Sequence, residues 1–331
     1  MTTTLTLDEV EALSALMLRT AGAARHQADP TALSIREAEA DGIRTVGLGY
    51  LPTYCEHVAC GKVVGDAVPT VTRPRPGVVS ADAHFGFAHP AFLDALPLTV
   101  TAAHDCGISV LSVSHSYSAG VLGWFVERVA ARGMIALMFA NSSALMAPYG
   151  GARPFFGTNP IAWAVPRRDA PPLVADLSSS AVAWVTVNAA AAAGEPIPLG
   201  WALDANGEPT TDANAALAGA MAPAAGHKGS ALALLVDILA GGLTSSNFSF
   251  EASSFGANEG GPPNVGQVVI VIDPAPTSPD FLGRIETELT AMTTQPGVRL
   301  PGARRIEHRA TADRDGVAVA DDLMAVLRSW T

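Results

Sequence analysis

Lysine is almost absent from this sequence: Lys62 and Lys228 are the only two, against 31 acidic residues in a chain of 331. With arginine the basic residues reach 20, and the net charge is -11. That balance argues against a phosphate-tracking nucleic-acid surface and against anionic membranes, while leaving room for one local basic pocket. Cysteine is also scarce. Cys55, Cys60 and Cys106 form an odd set in a long chain, which is no disulfide framework and makes a reducing cytoplasm the expectation. The opening MTTTLTLDEV has neither a basic start nor an apolar run, so no secretory signal is expected. The most apolar stretch, 231–243, is too short to span a bilayer and contains Asp237, so it reads as a buried helix. No G-x-G-x-x-G follows a strand-like run, and neither G-x-S-x-G nor H-E-x-x-H occurs. The standard dinucleotide fingerprint and the common hydrolase patterns are therefore missing.

What is present is apolar. Hydrophobic residues make up 49% and charged residues 15%, enough for a large core and too little charge for disorder. The length fits one large domain or two to three interleaved ones, and no internal repeat is visible.

Thr6-Leu7-Asp8-Glu9 has the spacing of a capping box, with Val10, Leu13, Leu16 and Met17 following at helical spacing. Asp29-Pro30 predicts an N-cap and first turn, opening a second helix that ends near Gly42. Farther on, a helix from Pro90 to about Asp105 closes at Gly107, and another from Leu122 to Arg132 closes at Gly133. Strands are predicted at 108–113, 134–139, 161–165, 173–175 and 268–272. Further helices are predicted near 180–193, 214–220, 229–243, 279–293 and 321–329. This alternation indicates α/β architecture. Residues 244–264, rich in Gly, Ser, Asn and Pro, form a long candidate loop.

Several fragments can carry chemistry. Gly150 to Pro160 brackets Phe155-Phe156 with glycine turns and enters a strand through Thr158-Asn159-Pro160; it suits close approach of a ligand, or simply a tight turn. Gly226-His227-Lys228-Gly229 stands where an apolar helix begins, which makes an anion site or a plain basic cap. Arg304 and Arg305 follow Pro301-Gly302 and can meet a phosphate or merely solvate a turn. Asp176 with Ser178 to Ser180 ends a strand and can be a ligand contact or an N-cap. His115 follows the 108–113 strand, where α/β folds bind ligands, and can equally be satisfied within its own loop. Cys55-Glu56-His57-Val58-Ala59-Cys60 lacks a fourth ligand and a familiar spacing, so no metal is assigned.

Taken in order, these fragments resemble the malate/L-lactate dehydrogenase-like family of NAD(P)-dependent oxidoreductases, and within it the Δ1-piperideine-2-carboxylate/Δ1-pyrroline-2-carboxylate reductases. The carrying residues are Gly157-Thr158-Asn159-Pro160-Ile161-Ala162, Asp176 with Ser179-Ser180-Ala181, and Asp204 with Gly207-Glu208-Pro209-Thr210. His227-Lys228-Gly229-Ser230-Ala231-Leu232, Asn247-Phe248-Ser249-Phe250 and Pro301-Gly302 complete the series, which spans nearly the whole chain. The resemblance implies a non-Rossmann NAD(P)-binding α/β fold with a mixed or largely antiparallel sheet and a helical N-terminal region. The expected division is a helical N-terminal domain, 1–80, completed by 300–331, and an α/β cofactor-binding core, 81–299, with an interleaved substrate region. It further implies an intimate homodimer, a small-molecule substrate, and NADPH as cofactor, with NADH the alternative. Ser118, Ala119, Gly120, Thr158, Asp176, Leu177, Ser178, His227, Lys228, Arg304 and Arg305 match cofactor positions.

The catalytic positions depart from the family. Where it has Ser-His-Gly-Val-x-Arg-[Leu/Ile]-Pro, this chain reads Thr45-Val46-Gly47-Leu48-Gly49-Tyr50-Leu51-Pro52. Val46 replaces the proton-donor histidine, and Tyr50 replaces the arginine that holds the substrate carboxylate. Thr186 stands for the relay carboxylate of the imine reductases, and Ser118 for a loop histidine. A positioned acid contributes about 10²–10⁴-fold, and valine supplies none. The expectation is an NADPH-dependent biosynthetic reductase of a small cyclic or N-substituted imine, with Thr45, Tyr50, His115 and Thr186 lining the pocket. A repurposed non-redox enzyme (isomerase, dehydratase or cyclase) and a nucleotide-binding pseudoenzyme are the alternatives.

Overall fold

The computed structural model describes residues 2–331. Strand β1 (Thr2–Leu5) leads into α1 (Leu7–Thr20), whose Thr6–Glu9 capping box forms as the spacing predicts. Helix α2 (Arg25–Ala40) corrects one expectation: it starts a turn earlier than Asp29-Pro30, and Pro30 lies inside it. Asp29 pairs with Arg25 at 2.9 Å and with Arg19 at 3.3 Å instead of capping. A 3₁₀ turn at Arg44–Val46 then precedes α3 (Leu51–Ala59), a helix the sequence reading missed, with its proline in the first turn.

Strands β2 (Thr70–Arg75) and β3 (Val78–Asp82) form a hairpin, followed by α4 (Ala88–Cys106), β4 (Ile108–Ser116), α5 (Leu122–Ala130) and β5 (Ile135–Ala140). Gly107 closes α4 at φ +76, a left-handed turn that only glycine takes without strain. Next come β6 (Ile161–Val165), β7 (Leu173–Leu177) and α6 (Trp184–Ala193), which starts later than the predicted 180 because Ser178 to Ser180 are tied into turns. A small excursion holds β8 (Ala202–Leu203), β9 (Pro209–Thr210), α7 (Ala213–Leu217) and β10 (Ala220–Met221).

Helix α8 (His227–Asp237) passes into a π turn at Ile238–Gly242, where the Leu243 N–H reaches the Ile238 carbonyl at 2.9 Å. After the 244–264 loop come β11 (Val265–Ile272), α9 (Phe281–Thr293), α10 (Ala303–Asp315), β12 (Val317–Ala320) and α11 (Asp321–Arg328). Helix α10 was not predicted; Arg304 and Arg305 sit in its first turn rather than in a plain surface turn.

The main sheet has seven strands in the order β2-β3-β4-β11-β5-β6-β7, and only β3–β4 is parallel. This is the mixed, largely antiparallel sheet implied by the resemblance. Residue alternation sorts its two faces. Ala136, Met138 and Ala140 join the core with α4 and α5, while Leu137 and Phe139 pack with Val236 and Ala240 of the α8 segment. β11 lies at the centre and from Val268 to Ile272 reads as a continuous apolar run, as a strand covered on both faces should.

A second core joins α1–α3 to Ala312, Val317, Val319, Met324 and Leu327, and β1 pairs antiparallel with β12. The chain's two ends thus share one hydrophobic cluster. A third cluster, with Met146, Phe156, Val187, Ile197 and Ala216, underlies α6 and the small sheet.

Candidate active site

The end of β7, the start of α5, the start of α10 and the 3₁₀ turn before α3 converge on a cleft of about 830 Å³. Its lining includes Val46, Gly120, Asp176, Leu177, Arg299, Arg304 and Arg305. Asp176 accepts the Gly123 N–H at 2.8 Å, so strand β7 grips the first turn of α5. Burial raises the Asp176 carboxyl above the ordinary range, while the Gly123 amide and Arg305 pull it back. Little room is left here for side chains. A Cβ on Gly123 would stand 2.7 Å from Arg305 Nη1, and one on Gly302, at φ +75, 2.9 Å from the Val174 carbonyl. Gly120, at φ +62, brings the loop within 3.1 Å of the Tyr54 hydroxyl by the same measure.

The two arginines of the pair differ. Arg305 points inward, 3.5 Å from Asp41, in a network where Arg309 bridges Asp41 and Glu127. Arg304 is exposed and, among the described residues, has no ion-pair partner; the same holds for Arg299, which the sequence reading missed. Two unpaired guanidinium groups beside the N-terminal amides of α10, in a chain of net charge -11, suit a phosphate. The glycine-lined walls and this donor set fit a phosphorylated dinucleotide. The clue to Arg299 was its place two residues before Pro301-Gly302.

Other expected cofactor residues lie close by or apart. The Ser118 hydroxyl accepts the Gly120 N–H at 3.3 Å, and Ala119 is buried. The Thr158 carbonyl accepts the Ser179 N–H at 2.9 Å and the Ser178 hydroxyl at 3.2 Å, joining the Thr-Asn-Pro turn to the end of β7. His227 and Lys228 open α8 at the surface, where His227 packs its ring 6.0 Å from that of Tyr149. They are not part of the cleft lining.

The expected catalytic residues are similarly divided. Val46 faces the cleft, so an apolar side chain stands where the family has its proton-donor histidine. Glu39 holds this turn by accepting the Leu48 N–H at 2.7 Å. Thr45 is exposed in the same turn, and Thr186 is exposed on α6; neither belongs to the cleft lining. Tyr50 is half-buried, donates to the Phe255 carbonyl at 3.2 Å and packs edge-on against Tyr54 at 4.8 Å. Behind it Tyr54 packs against Tyr117, whose hydroxyl meets His57 Nδ1.

His115 lies within β4, not after it, at φ +47. Its Nδ1 is 3.0 Å from Asp82, and its backbone N–H donates to the Ser246 hydroxyl at 3.1 Å. His84, Phe85, Ser245 and Asn264 also take positive φ, as few residues other than glycine do. His115 thus belongs to a satisfied local cluster outside the cleft lining.

The malate/L-lactate dehydrogenase family model matches residues 5–328. Among similar proteins, (2R)-3-sulfolactate dehydrogenase (NADP(+)) of Chromohalobacter salexigens is 46% identical over 91% of this chain and 90% of its own length. The Δ1-pyrroline-2-carboxylate/Δ1-piperideine-2-carboxylate reductase of Pseudomonas aeruginosa is 39% identical over 96% of each chain. The crystal structure of Δ1-piperideine-2-carboxylate reductase from Pseudomonas syringae pv. tomato superposes with a TM-score of 0.95 at 36% identity, covering 99% of this chain and 100% of that one.

Proposed function

Since the chain belongs to the malate/L-lactate dehydrogenase family of NAD(P)-dependent oxidoreductases, we propose that it is an NADPH-dependent reductase of the C=N bond in a small cyclic or N-substituted imine. The observation that carries this reading is Val46 facing the cleft. An alkoxide formed from a ketone needs a proton at once, and valine has none to give. A protonated imine loses its charge as hydride arrives, so it depends far less on an acid.

The dihydronicotinamide supplies the hydride. Arg299 and Arg304 would hold the 2′-phosphate, the Gly120 and Gly302 loops would admit the cofactor backbone, and Arg305 would orient Asp176. Lys228 at the start of α8 offers a second anion contact, and Thr158 and Ser178 would border the reacting end. Reduction that consumes NADPH is the sense of a biosynthetic step.

A homodimer is part of the proposal. Leu232, Leu235, Ile238 and Leu243 leave an apolar strip exposed along α8 and its π turn, a face that a second copy would bury. Light scattering should give the mass of a dimer, and a stable cofactor-binding monomer at micromolar concentration would count against it. No helix among the described residues is long and apolar enough to cross a membrane. The cytoplasmic placement rests on three unpaired cysteines, two of them exposed.

The test is steady-state NADPH oxidation with a cyclic 2-carboxy imine, an N-alkyl iminium without carboxylate, pyruvate and 3-sulfopyruvate. Turnover of either imine with negligible pyruvate reduction is expected. Efficient reduction of a 2-oxo acid would overturn the reading. Tight NADPH binding without any turnover would transfer it to the non-redox alternatives.

A further inference from the structure

Among the described residues, Arg305 is the one cleft-lining cation that also meets a buried carboxylate. One turn farther along α10 stands Arg309, and the two arginines share a single acceptor, Asp41 at the end of α2. They do not share it equally. Arg309 takes both carboxylate oxygens, Nε to Oδ1 and Nη2 to Oδ2 at 3.2 Å. Its Nη1 and Nη2 also fork onto Glu127 of α5, at 2.6 and 2.7 Å. Arg305 Nη1 is left 3.5 Å from Asp41 Oδ2, beyond the roughly 2.7–2.9 Å of a charge-assisted bond. Arg305 is turned toward Asp41 without being locked to it.

The cleft wall keeps space for this guanidinium. A Cβ on Gly123 would stand 2.7 Å from Arg305 Nη1, and one on Gly302 3.2 Å from its Nη2. A side chain at either position would press on the group. The carboxylates behind it are well buried, Asp41 at 5% exposure and Glu127 at 15%. Charges so far from water need a partner at hydrogen-bonding distance, and one that loses its partner draws in the nearest substitute. For Asp41 that substitute is Arg305.

We infer that Arg309 is a positioning residue: by saturating Asp41 it keeps the Arg305 guanidinium available at the cleft for a phosphate oxygen of the dinucleotide. This rests on the cofactor reading above. Arg305 gives up only one long contact when it turns to a phosphate, so nearly all of the new charge-assisted bond counts toward binding. The choice of arginine at 309 matters. A planar fork meets two carboxylates at once, whereas the compact ammonium of a lysine would not span both in this way. Arg309 itself stays outside the cleft lining and acts through Arg305.

The experiment is fluorescence titration of NADPH into the wild type, Arg309→Met, Asp41→Asn and the double variant. Arg309→Met should weaken NADPH about tenfold, because Asp41 then draws Arg305 away from the cleft. Asp41→Asn removes the competitor and should bind NADPH as tightly as the wild type or more so. The double variant should return to within about threefold of the wild type. In an Arg305→Ala background, Arg309→Met should have no further effect. A network that merely held the fold together would weaken binding in both single variants and most in the double. That pattern, or unchanged binding in Arg309→Met, would overturn the proposal. A second readout needs no cofactor: in ¹⁵N-arginine NMR, exchange of the Arg305 Nε–H with water should slow in Arg309→Met and recover in the double variant. Equal exchange in all four proteins overturns the competition for Asp41 itself. Should Arg309→Met fail to fold, Arg309→Lys carries the same expectations. Failure of the wild type to bind NADPH, with exchange responding as expected, overturns the phosphate role through the cofactor reading and leaves the hold on Asp41 standing as structure.

Discussion

Lys62 Nζ lies 2.6 Å from the Ser254 carbonyl oxygen and 2.8 Å from those of Ala257 and Glu259. One of the protein's two lysines is thus spent, with 0% exposure, on clasping the loop that carries Phe255, the acceptor of the Tyr50 hydroxyl. Replacing it by methionine keeps the stem out to Cε but removes the ammonium and leaves three carbonyls without their donor. Lys62→Met should destabilise the segment by about 3 kcal/mol, at roughly 1–3 kcal/mol per orphaned buried group and with partial rescue by water. Amide exchange and protease cutting at 254–259 should rise well before global unfolding. Unchanged exchange there would show that the clasp contributes nothing.

The exposed arginines should separate the two nicotinamide cofactors. Arg304→Ala and Arg299→Ala should each weaken NADPH by about 1.5–3 kcal/mol, the usual worth of a charge-assisted contact, and leave NADH nearly unchanged. Lys228→Ala should weaken both alike, because a contact to the pyrophosphate does not distinguish them, and should leave folding intact. Fluorescence titration measures all three. Equal loss of NADH and NADPH on removing Arg304 would displace the 2′-phosphate from this end of the cleft.

Stability should fall on mild acidification. His89 is 1% exposed among Phe92, Trp124 and Phe125, has its Nδ1 buried without a partner, and is pushed down to about 3 by burial, helped by Arg128 nearby. Its folded pKa lies below the unfolded value of about 6.5, so the unfolded chain binds the extra proton first as pH drops. Its contribution is fully present above about pH 6.5 and is lost at roughly 1.4 kcal/mol per pH unit below it. Between pH 6.5 and 5 this amounts to about 2 kcal/mol. Urea unfolding should show the loss in the wild type and a smaller one in His89→Gln. Parallel curves for the two would remove His89 as the cause.

Restoring the residues absent from the turn before α3 is the sharpest trial of the functional reading. Val46→His with Tyr50→Arg would place an acid and a carboxylate clamp at the cleft. Reduction of pyruvate or a 2-carboxy imine should then rise by about tenfold or more, within the range of a positioned acid. Thr186 is exposed on α6 outside the cleft lining, so Thr186→Asp should add little. No gain from the double variant, in a protein that still binds NADPH, would mean that the pocket itself has changed shape.

Local chemistry made much of this protein legible from sequence. The Thr6–Glu9 capping box, Gly107 at the end of α4 and the apolar β11 run are set by neighbours a few residues apart, and each formed as read. Asp29-Pro30 misled because a proline one turn into a helix removes a single backbone bond, which packing of α1 on α2 outweighs. Asp176, Gly120 and Arg304, singled out from the motifs, line one cleft. What the sequence could not decide is which of two adjacent arginines is free. Arg305 turns to Asp41, 264 residues away along the chain, while Arg304 stays open to solvent. Nor could it connect His57 to Tyr117 or Lys62 to Glu259, because no spacing rule links residues that far apart. Those pairings exist only once burial has withdrawn water from the groups concerned and left each to find its partner within the folded chain.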